Sequence, residues 1–442
     1  MSKLKILQSY LACRWTNFRS RRALEAYQHK AALRLLQQTL PRSAYTRSRL
    51  GDLPLARWAE MVPMNKQDMM ENFDTLNTVG MSKEQALKLA KQDELTRDFT
   101  ARIAGISLGL SSGTSGKLGM FALSDSEQQV WAGRVLAKTL PYPLLWPRRD
   151  RIAFFLRANN SMYETVGSLR LQFCYFDLFK PLEQHIDDLL ALRPTILVAP
   201  PSVIRQLIQR IPEKIKKLPL AKVICVAEPL DPIDERFFRQ TFGQCVHQIY
   251  QATEGFLATT CKFGTLHLNE DMLVIHREPI DENRFVPIVT DLFRHVQPVI
   301  RYRLDDVLHV RPVPCSCGSV HTPLWAVEGR QDDVLFLSQN NNTLRPVFAD
   351  FLRRRILMSC DDLSDYGVRQ IDETRLELFV ESDDKASRQR VIDGLNDLFR
   401  SFDCRLPKYS FVPEWPRGGM AKRKRIIRDW TPPADVFTQS DL

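Results

Sequence analysis

From about residue 150 the chain alternates short apolar runs with helical patterns, and few folds accommodate that alternation. Ile152-Ala153-Phe154-Phe155, Thr195-Ile196-Leu197-Val198 and Lys222-Val223-Ile224-Cys225-Val226 read as buried strands, and Leu182, Ile186, Leu189 and Leu190 form a helical stripe between the first two. Buried strands separated by amphipathic helices indicate βαβ units, so an α/β protein with mixed, largely parallel sheets and flanking helices is expected. Ligands in such sheets sit at the carboxyl ends of the strands. Ahead of this region, Leu24, Tyr27, Ala31 and Leu35 mark one face of a helix ending before Pro41.

After Arg330 the character changes. A polar loop from Ser338 to Thr343 precedes a strand-like Arg375 to Val380, and Val391, Leu395, Leu398, Phe399 and Phe402 then share one helix face. The division this predicts is a large domain over residues 1–329, a hinge at 330–333 and a small α+β domain over 334–442.

The net charge of +10 favours anionic partners such as nucleotides, nucleic acids, acidic proteins or lipid surfaces, without choosing among them. No stretch reaches the ~18 apolar residues of a membrane span, and the start lacks a signal-peptide core, so a cytoplasmic protein, peripheral to a membrane at most, is expected. Nine cysteines spread along such a chain suit thiol or metal chemistry better than a disulfide framework. His185, His247 and His295 have no triad pattern, and no Gly-x-Ser-x-Gly elbow occurs, so hydrolase chemistry is unsupported.

The clearest loop is Ser111-Ser112-Gly113-Thr114-Ser115-Gly116-Lys117. Glycines let backbone approach an anion, hydroxyls donate to phosphate oxygens and a lysine adds charge, although the Walker A spacing is absent. Alone it serves equally well as a surface turn. Four further segments follow in order: Ala227-Glu228-Pro229, Tyr250-Gln251-Ala252-Thr253-Glu254, Ile300-Arg301-Tyr302-Arg303-Leu304-Asp305-Asp306, and Gly329-Arg330-Gln331-Asp332-Asp333. In order and spacing the set resembles the adenylate-forming superfamily of acyl-CoA synthetases, peptide-synthetase adenylation domains and luciferases. Pro63-Met64-Asn65-Lys66-Gln67-Asp68 adds a likeness to the phenylacetate-CoA ligase and coenzyme F390 synthetase branch.

The resemblance implies roles position by position. Residues 111 to 117 match the phosphate loop, and Ala227, Glu228 and Pro229 the segment beside the adenine, with Val226-Ala227 departing from its usual Gly. Tyr250 matches the aromatic near the adenine, Thr253 an α-phosphate contact and Glu254 the carboxylate that helps hold Mg2+. Asp306 matches the ribose-binding aspartate, with Asp305 as a rival, and Arg330 a second ribose contact. Asp332 matches the hinge. In the tail, Ala421-Lys422-Arg423-Lys424-Arg425 is either a solvated basic patch or the counterpart of the family's Gly-Lys-x-x-Arg, which makes Lys422 the adenylation lysine and Lys424 its rival. The acyl pocket implied involves Phe155, Tyr163, Gln251 and Phe256, with Phe154-Phe155 serving equally as a plain buried strand.

Cys261, His267, Cys315 and Cys317 form a candidate Cys3His structural zinc site, a pairing that resembles pieces of the same branch and is expected to fasten a loop near the acyl pocket. The alternative is buried free thiols and a satisfied histidine.

The function implied is ATP- and Mg2+-dependent activation of a carboxylic acid, an aromatic acid such as a hydroxybenzoate, with transfer of the acyl group to a thiol of an acyl carrier protein or CoA. Ligases of aryl-polyene or xanthomonadin-type pathways are the nearer likeness. An aryl-CoA ligase, or an inactive nucleotide-binding protein of the same fold, are the alternatives. A homodimer is implied by the resemblance alone, and no nucleic-acid module is recognisable.

Overall fold

The computed structural model describes residues 3–96, 102–110, 119–143, 149–156, 171–178, 180–330, 334–341, 343–347, 349–360, 363–382, 384, 386–415 and 424–432. Helices α1 (Lys3–Trp15), α2 (Arg21–Thr39), α3 (Ala44–Leu50), α4 (Lys66–Glu71), α5 (Phe73–Leu76) and α6 (Lys83–Thr96) come first. Leu24 and Leu35 of α2 are buried, with Tyr27 and Ala31 packed against the same core region, as the helical spacing requires. Strands β1 (Arg102–Ile103), β2 (Ile106–Leu110) and β3 (Met120–Ser124) form a three-stranded antiparallel sheet.

Helix α7 (Asp125–Thr139) leads into the parallel part of the large sheet: β4 (Asp150–Leu156), β5 (Leu171–Asp177), β6 (Ile196–Ala199), β7 (Lys222–Cys225) and β8 (Val246–Ala252), ordered β5-β4-β6-β7-β8. Between these strands run α8 (Glu183–Leu192), α9 (Pro201–Arg210), α10 (Pro212–Lys216) and α11 (Pro232–Phe242). All three apolar runs expected as strands lie in β4, β6 and β7, and the Leu182 to Leu190 stripe lies on α8 or its cap. Side chains alternate across the sheet: Ala153, Phe155, Leu197 and Val223 enter the core beneath α8, α9 and α11, while Ile152, Phe154, Val198 and Ile224 face α1 and α7.

From β8 onward the sheet turns antiparallel, through β9 (Gly255–Thr260), β10 (Leu266–Leu268), β11 (Leu273–Pro279), β12 (Arg284–Asp291), β13 (Tyr302–Arg303), β14 (Asp306–Val310) and β15 (Pro323–Arg330). The last of these ends at Arg330, and a separate core begins at Leu335. It comprises β16 (Leu335–Ser338), β17 (Leu344–Val347), α12 (Ala349–Ser359), β18 (Leu363–Asp372), β19 (Arg375–Ser382), α13 (Ser387–Ser401), β20 (Lys408–Phe411) and β21 (Ile426–Arg428). The expected loop, strand and helix of this part are the β16–β17 turn, β19 and α13. Val391, Leu395 and Phe399 of α13 are buried against Tyr366, Val368, Leu376 and Leu378 of β18 and β19.

Candidate functional site

Among the described residues, the motifs at 227–229, 250–254 and 300–306 lie about the place where the parallel and antiparallel parts of the large sheet meet. Strand β7 ends at Cys225, and Ala227 immediately beyond it takes φ +66°, the left-handed region that costs an L-residue about 1–2 kcal/mol. That backbone turns Glu228 toward the start of α9, where its carboxylate accepts from the Ser202 backbone N–H at 3.2 Å and from Ser202 Oγ at 3.0 Å. Pro201 opens α9 without a side-chain cap, so a glutamate remote in sequence satisfies an orphan amide and complements the helix dipole. Nothing in the spacing of Ser202 and Glu228 signals this.

The neighbouring strand β8 carries Tyr250 and closes on β9 through the two-residue turn Thr253-Glu254. The Thr253 carbonyl accepts from Arg294 Nη1 at 3.0 Å, and Glu254 is buried. Tyr250 Oη donates to Asp306 Oδ2 at 2.5 Å, so two groups 56 residues apart that the motifs implicated separately are in direct contact. Asp306 opens β14 and stands opposite Arg330 in the β14–β15 register, whereas its rival Asp305 is exposed. Beneath the turn lies Asp291, fully buried, its Oδ1 accepting from the Phe293 N–H at 2.9 Å. Burial raises its carboxyl to about 6 although the Arg294 guanidinium opposes the shift.

The loop Ser111 to Lys117 lies outside the described residues, but both its ends are placed. It connects β2 to β3, whose terminal residues Leu110 and Met120 are register partners. Buried Gln297 accepts from the Ala122 N–H at 2.7 Å and donates to the Met120 carbonyl at 3.0 Å, which fixes β3 against the segment that leads to Arg301 and Asp306. Another link sequence reading missed joins the Pro63-to-Asp68 segment to the Tyr302-Arg303 motif: Met64 N–H donates to the Arg301 carbonyl at 2.9 Å and Arg303 N–H to the Met64 carbonyl at 2.8 Å.

Of the pocket residues, Gln251 is exposed and Phe256 is buried beside Met64, Met69 and Tyr302. Phe155 lies elsewhere: it is fully buried and stacked on Phe176 with ring centroids 4.5 Å apart, on the α8 side of the sheet. Its neighbour Phe154 is the one that shares a cluster with Val226, Ala227 and Ile249, because adjacent strand residues point to opposite faces. Tyr163, Asp332 and Lys422 lie outside the described residues, as does the side chain of Arg330. The ends of the segment bearing Lys422 are joined, since the Trp415 indole donates to the Lys424 carbonyl at 2.8 Å.

Cys261, Cys315 and Cys317 cluster with their sulfurs within 4.8 Å of one another. Cys261 Sγ lies 3.8 Å from Cys315 Sγ, and Cys317 Sγ lies 3.5 Å from His267 Nε2. Zinc bonds of about 2.3 Å to sulfur give tetrahedral sulfur–sulfur edges of about 3.8 Å, so the three thiols suit a metal, while His267 reaches Cys317 and does not lie within 4.8 Å of all three sulfurs. His267 Nδ1 donates to the Thr265 carbonyl at 3.0 Å, which leaves Nε2 as the ligating lone pair. The cluster is not beside the acyl pocket as expected. Cys261 follows β9 at the end opposite Glu254, about 20 Å away at the rise of an extended strand.

A buried ion cluster, of which only Arg425 belongs to a motif, joins the two parts of the chain. Asp234 Oδ1 accepts from Arg205 Nε at 2.7 Å and its Oδ2 from Arg425 Nη1 at 2.7 Å, while Arg425 Nε donates to Asp365 Oδ1 at 2.9 Å. Asp231 Oδ2 accepts from Tyr366 Oη at 2.6 Å and faces Arg353 Nε at 3.1 Å. Burial pushes the Asp234 carboxyl up, but Arg425 and Arg205 outweigh it and hold the group below its ordinary value.

With this geometry in view, residues 160–297 match the family model described as AMP-binding enzyme. The match covers about a third of the chain. No curated relative matches its sequence. Among solved structures it is similar to 2-hydroxyisobutyryl-CoA ligase in the postadenylation state with 2-HIB-AMP, at TM-score 0.65 and 14% identity over 94% of this chain and 90% of that one. Against the same ligase in its thioesterification state the TM-score is 0.52, at 15% identity over 92% and 89%. The anthranilate CoA ligase AuaEII in complex with anthranoyl-AMP gives 0.50 at 12% identity over 71% and 65%. At these identities the likeness is one of fold.

Proposed function

We propose that this adenylate-forming fold activates a carboxylic acid with ATP, releasing pyrophosphate, and passes the acyl group from the acyl-AMP to a thiol of CoA or an acyl carrier protein. The observation that carries the reading is the side-chain contact of Tyr250 on β8 with Asp306 on β14, next to the strand β7 that leads to Glu228. An aromatic side chain and a ribose-accepting carboxylate held together in this way suit an adenosine. The carboxylate oxygen attacks the α-phosphorus, and the protein's part is positioning and charge stabilisation.

In this reading Ser111 to Lys117 embrace the phosphates, Thr253 contacts the α-phosphate, Arg330 supports the ribose and Lys422 bridges the carboxylate and the α-phosphate. Glu254 helps hold Mg2+, a hard cation that prefers carboxylate and phosphate oxygens. Asp332 serves as the hinge that exchanges adenylation and thioester-forming arrangements. The structural neighbours carrying 2-HIB-AMP and anthranoyl-AMP bracket aliphatic and aromatic acids, and the reading for this chain is an aromatic acid such as a hydroxybenzoate. Cys261, His267, Cys315 and Cys317 hold a structural zinc ion that ties the β9–β10 turn to the β14–β15 connection.

Carboxylate-dependent ATP–pyrophosphate exchange over hydroxybenzoates, cinnamates, phenylacetate and fatty acids tests the reading. Exchange with a subset of acids, lowered about tenfold or more by Asp306→Ala through loss of a charged hydrogen-bond partner, supports it. Mg-ATP binding without exchange for any acid returns the chain to the nucleotide-binding alternative.

A further inference from the structure

The chain's charge is distributed very unevenly. The first 50 residues hold eleven Lys and Arg and a single Glu, a balance of +10 that equals the net charge of the whole chain, whereas residues 51–442 hold 51 of each sign. Helix α1 begins this segment. Its inner face is firmly seated: Ile6, Tyr10 and Cys13 are buried with Ala132 and Leu136 of α7. Approach is so close that a Cβ on Gly133 would lie 2.4 Å from the Ile6 carbonyl oxygen.

Among the described residues, nothing covers the outer face. Leu4 is 62% exposed and Trp15 76% exposed, and with exposed Gln8 and Ala12 they recur at helical spacing along a stripe about 16 Å long. Half-buried Leu7 borders it, while Leu11 packs against the core shared with α7. Arg14, Arg19 and Arg22 are exposed at its carboxyl end, and Lys5 lies along it. A helix lying flat with a tryptophan and leucines outward, rimmed by arginines and without an acidic side chain, has the chemistry of an interfacial anchor.

We propose that α1 docks this protein on an anionic lipid bilayer, Leu4 and Trp15 entering the headgroup boundary and the surrounding Lys and Arg pairing with lipid phosphates. Bilayer rather than acidic protein or nucleic acid follows from the apolar stripe, which neither a charged partner surface nor a phosphate backbone would cover. Arg14, Arg19 and Arg22 lie exposed about the carboxyl end of α1, so attraction to the anionic surface acts on the same side as Trp15.

The test is flotation of the full chain with phosphatidylcholine vesicles, with and without phosphatidylglycerol. Binding to the anionic vesicles alone, lost as salt approaches about 1 M and the screening length falls to about 3 Å, is expected. Arg19→Gln and Arg22→Gln each weaken it about fivefold. The double variant Leu4→Ser/Trp15→Ser weakens it more than about tenfold while circular dichroism and the unfolding midpoint stay those of the parent, since both side chains are exposed. Equal binding to neutral vesicles, absence of flotation, an unchanged double variant, or capture of an acidic carrier protein by this face in place of vesicles overturns the proposal. None of these readouts requires catalysis, so they stand apart from the outcome of the exchange assay.

Discussion

Ala227 occupies backbone space that favours glycine, at the strand end that presents Glu228. Ala227→Gly is expected to stabilise the protein by about 0.5 kcal/mol, relief of the left-handed strain slightly exceeding the entropy a glycine adds to the unfolded chain. Ala227→Val should destabilise it instead, and thermal unfolding separates the two. Asp291 offers a pH test. Its carboxyl is raised from 3.8 to about 6, so between these values the folded protein holds a proton that the unfolded chain has released, and stability falls as pH rises. The completed penalty is about 3 kcal/mol. Asp291→Asn should therefore gain about that much relative to the parent between pH 4 and pH 7 in urea unfolding; equal differences at both values would refute the assignment. Residue identity made Tyr250, Glu228 and Asp306 conspicuous in the sequence, because each ends or opens an element within an ordered set. Their partners were not legible. Ser202 meets Glu228, and Arg294 the Thr253 carbonyl, only through tertiary contact, and the choice between Phe154 and Phe155 turns on which face of β4 the pleat presents.

At the level of elements, β4, β6 and β7 announce themselves because strands buried on both faces read as unbroken apolar runs. The antiparallel half is quieter. β11 runs Leu-Val-Ile-His-Arg-Glu-Pro, half-buried and partly polar, and its pairing with β12 depends on a partner rather than on pattern. The thiol cluster belongs to this scale, since it brings together the β9–β10 turn and the β14–β15 connection beside the short β10–β15 ladder. Purified protein should contain about one zinc per chain by elemental analysis, and Cys261→Ser or Cys317→Ser should lose it and lower the unfolding midpoint by about 2–4 °C for each kcal/mol removed. Full zinc occupancy in both variants would show that the ligands lie elsewhere. Distance along β9 also predicts that chelation lowers stability more than the rate of pyrophosphate exchange.

Across the whole molecule, Asp231, Asp234 and Arg205 on one side and Tyr366, Arg353, Asp365 and Arg425 on the other hold the two parts together through charges removed from water. Asp234→Ala leaves Arg205 and Arg425 buried without that partner, a change worth about 3–5 kcal/mol. Expected consequences are a larger radius of gyration in solution scattering and faster tryptic cleavage near Arg330, while an unchanged scattering profile would show that apolar contacts such as Ile233 against the smaller core suffice. Sequence reading places a boundary at residues 330–333 from a change of composition, and 331–333 lie outside the described residues. It was blind to the clasp across it, whose members span residues 205 to 425 and resemble ordinary surface charges until they are placed. One further consequence lies in the pairing of Asp306 with Arg330, the residue at which the chain leaves the large sheet. A ligand pulling on Asp306 and a rotation of the chain beyond Arg330 load the same pair of residues. Under the proposed function, thermodynamic reciprocity makes nucleotide affinity and domain orientation two readings of one equilibrium: whatever the nucleotide does to the population of arrangements, the arrangements do in equal measure to the grip on the nucleotide.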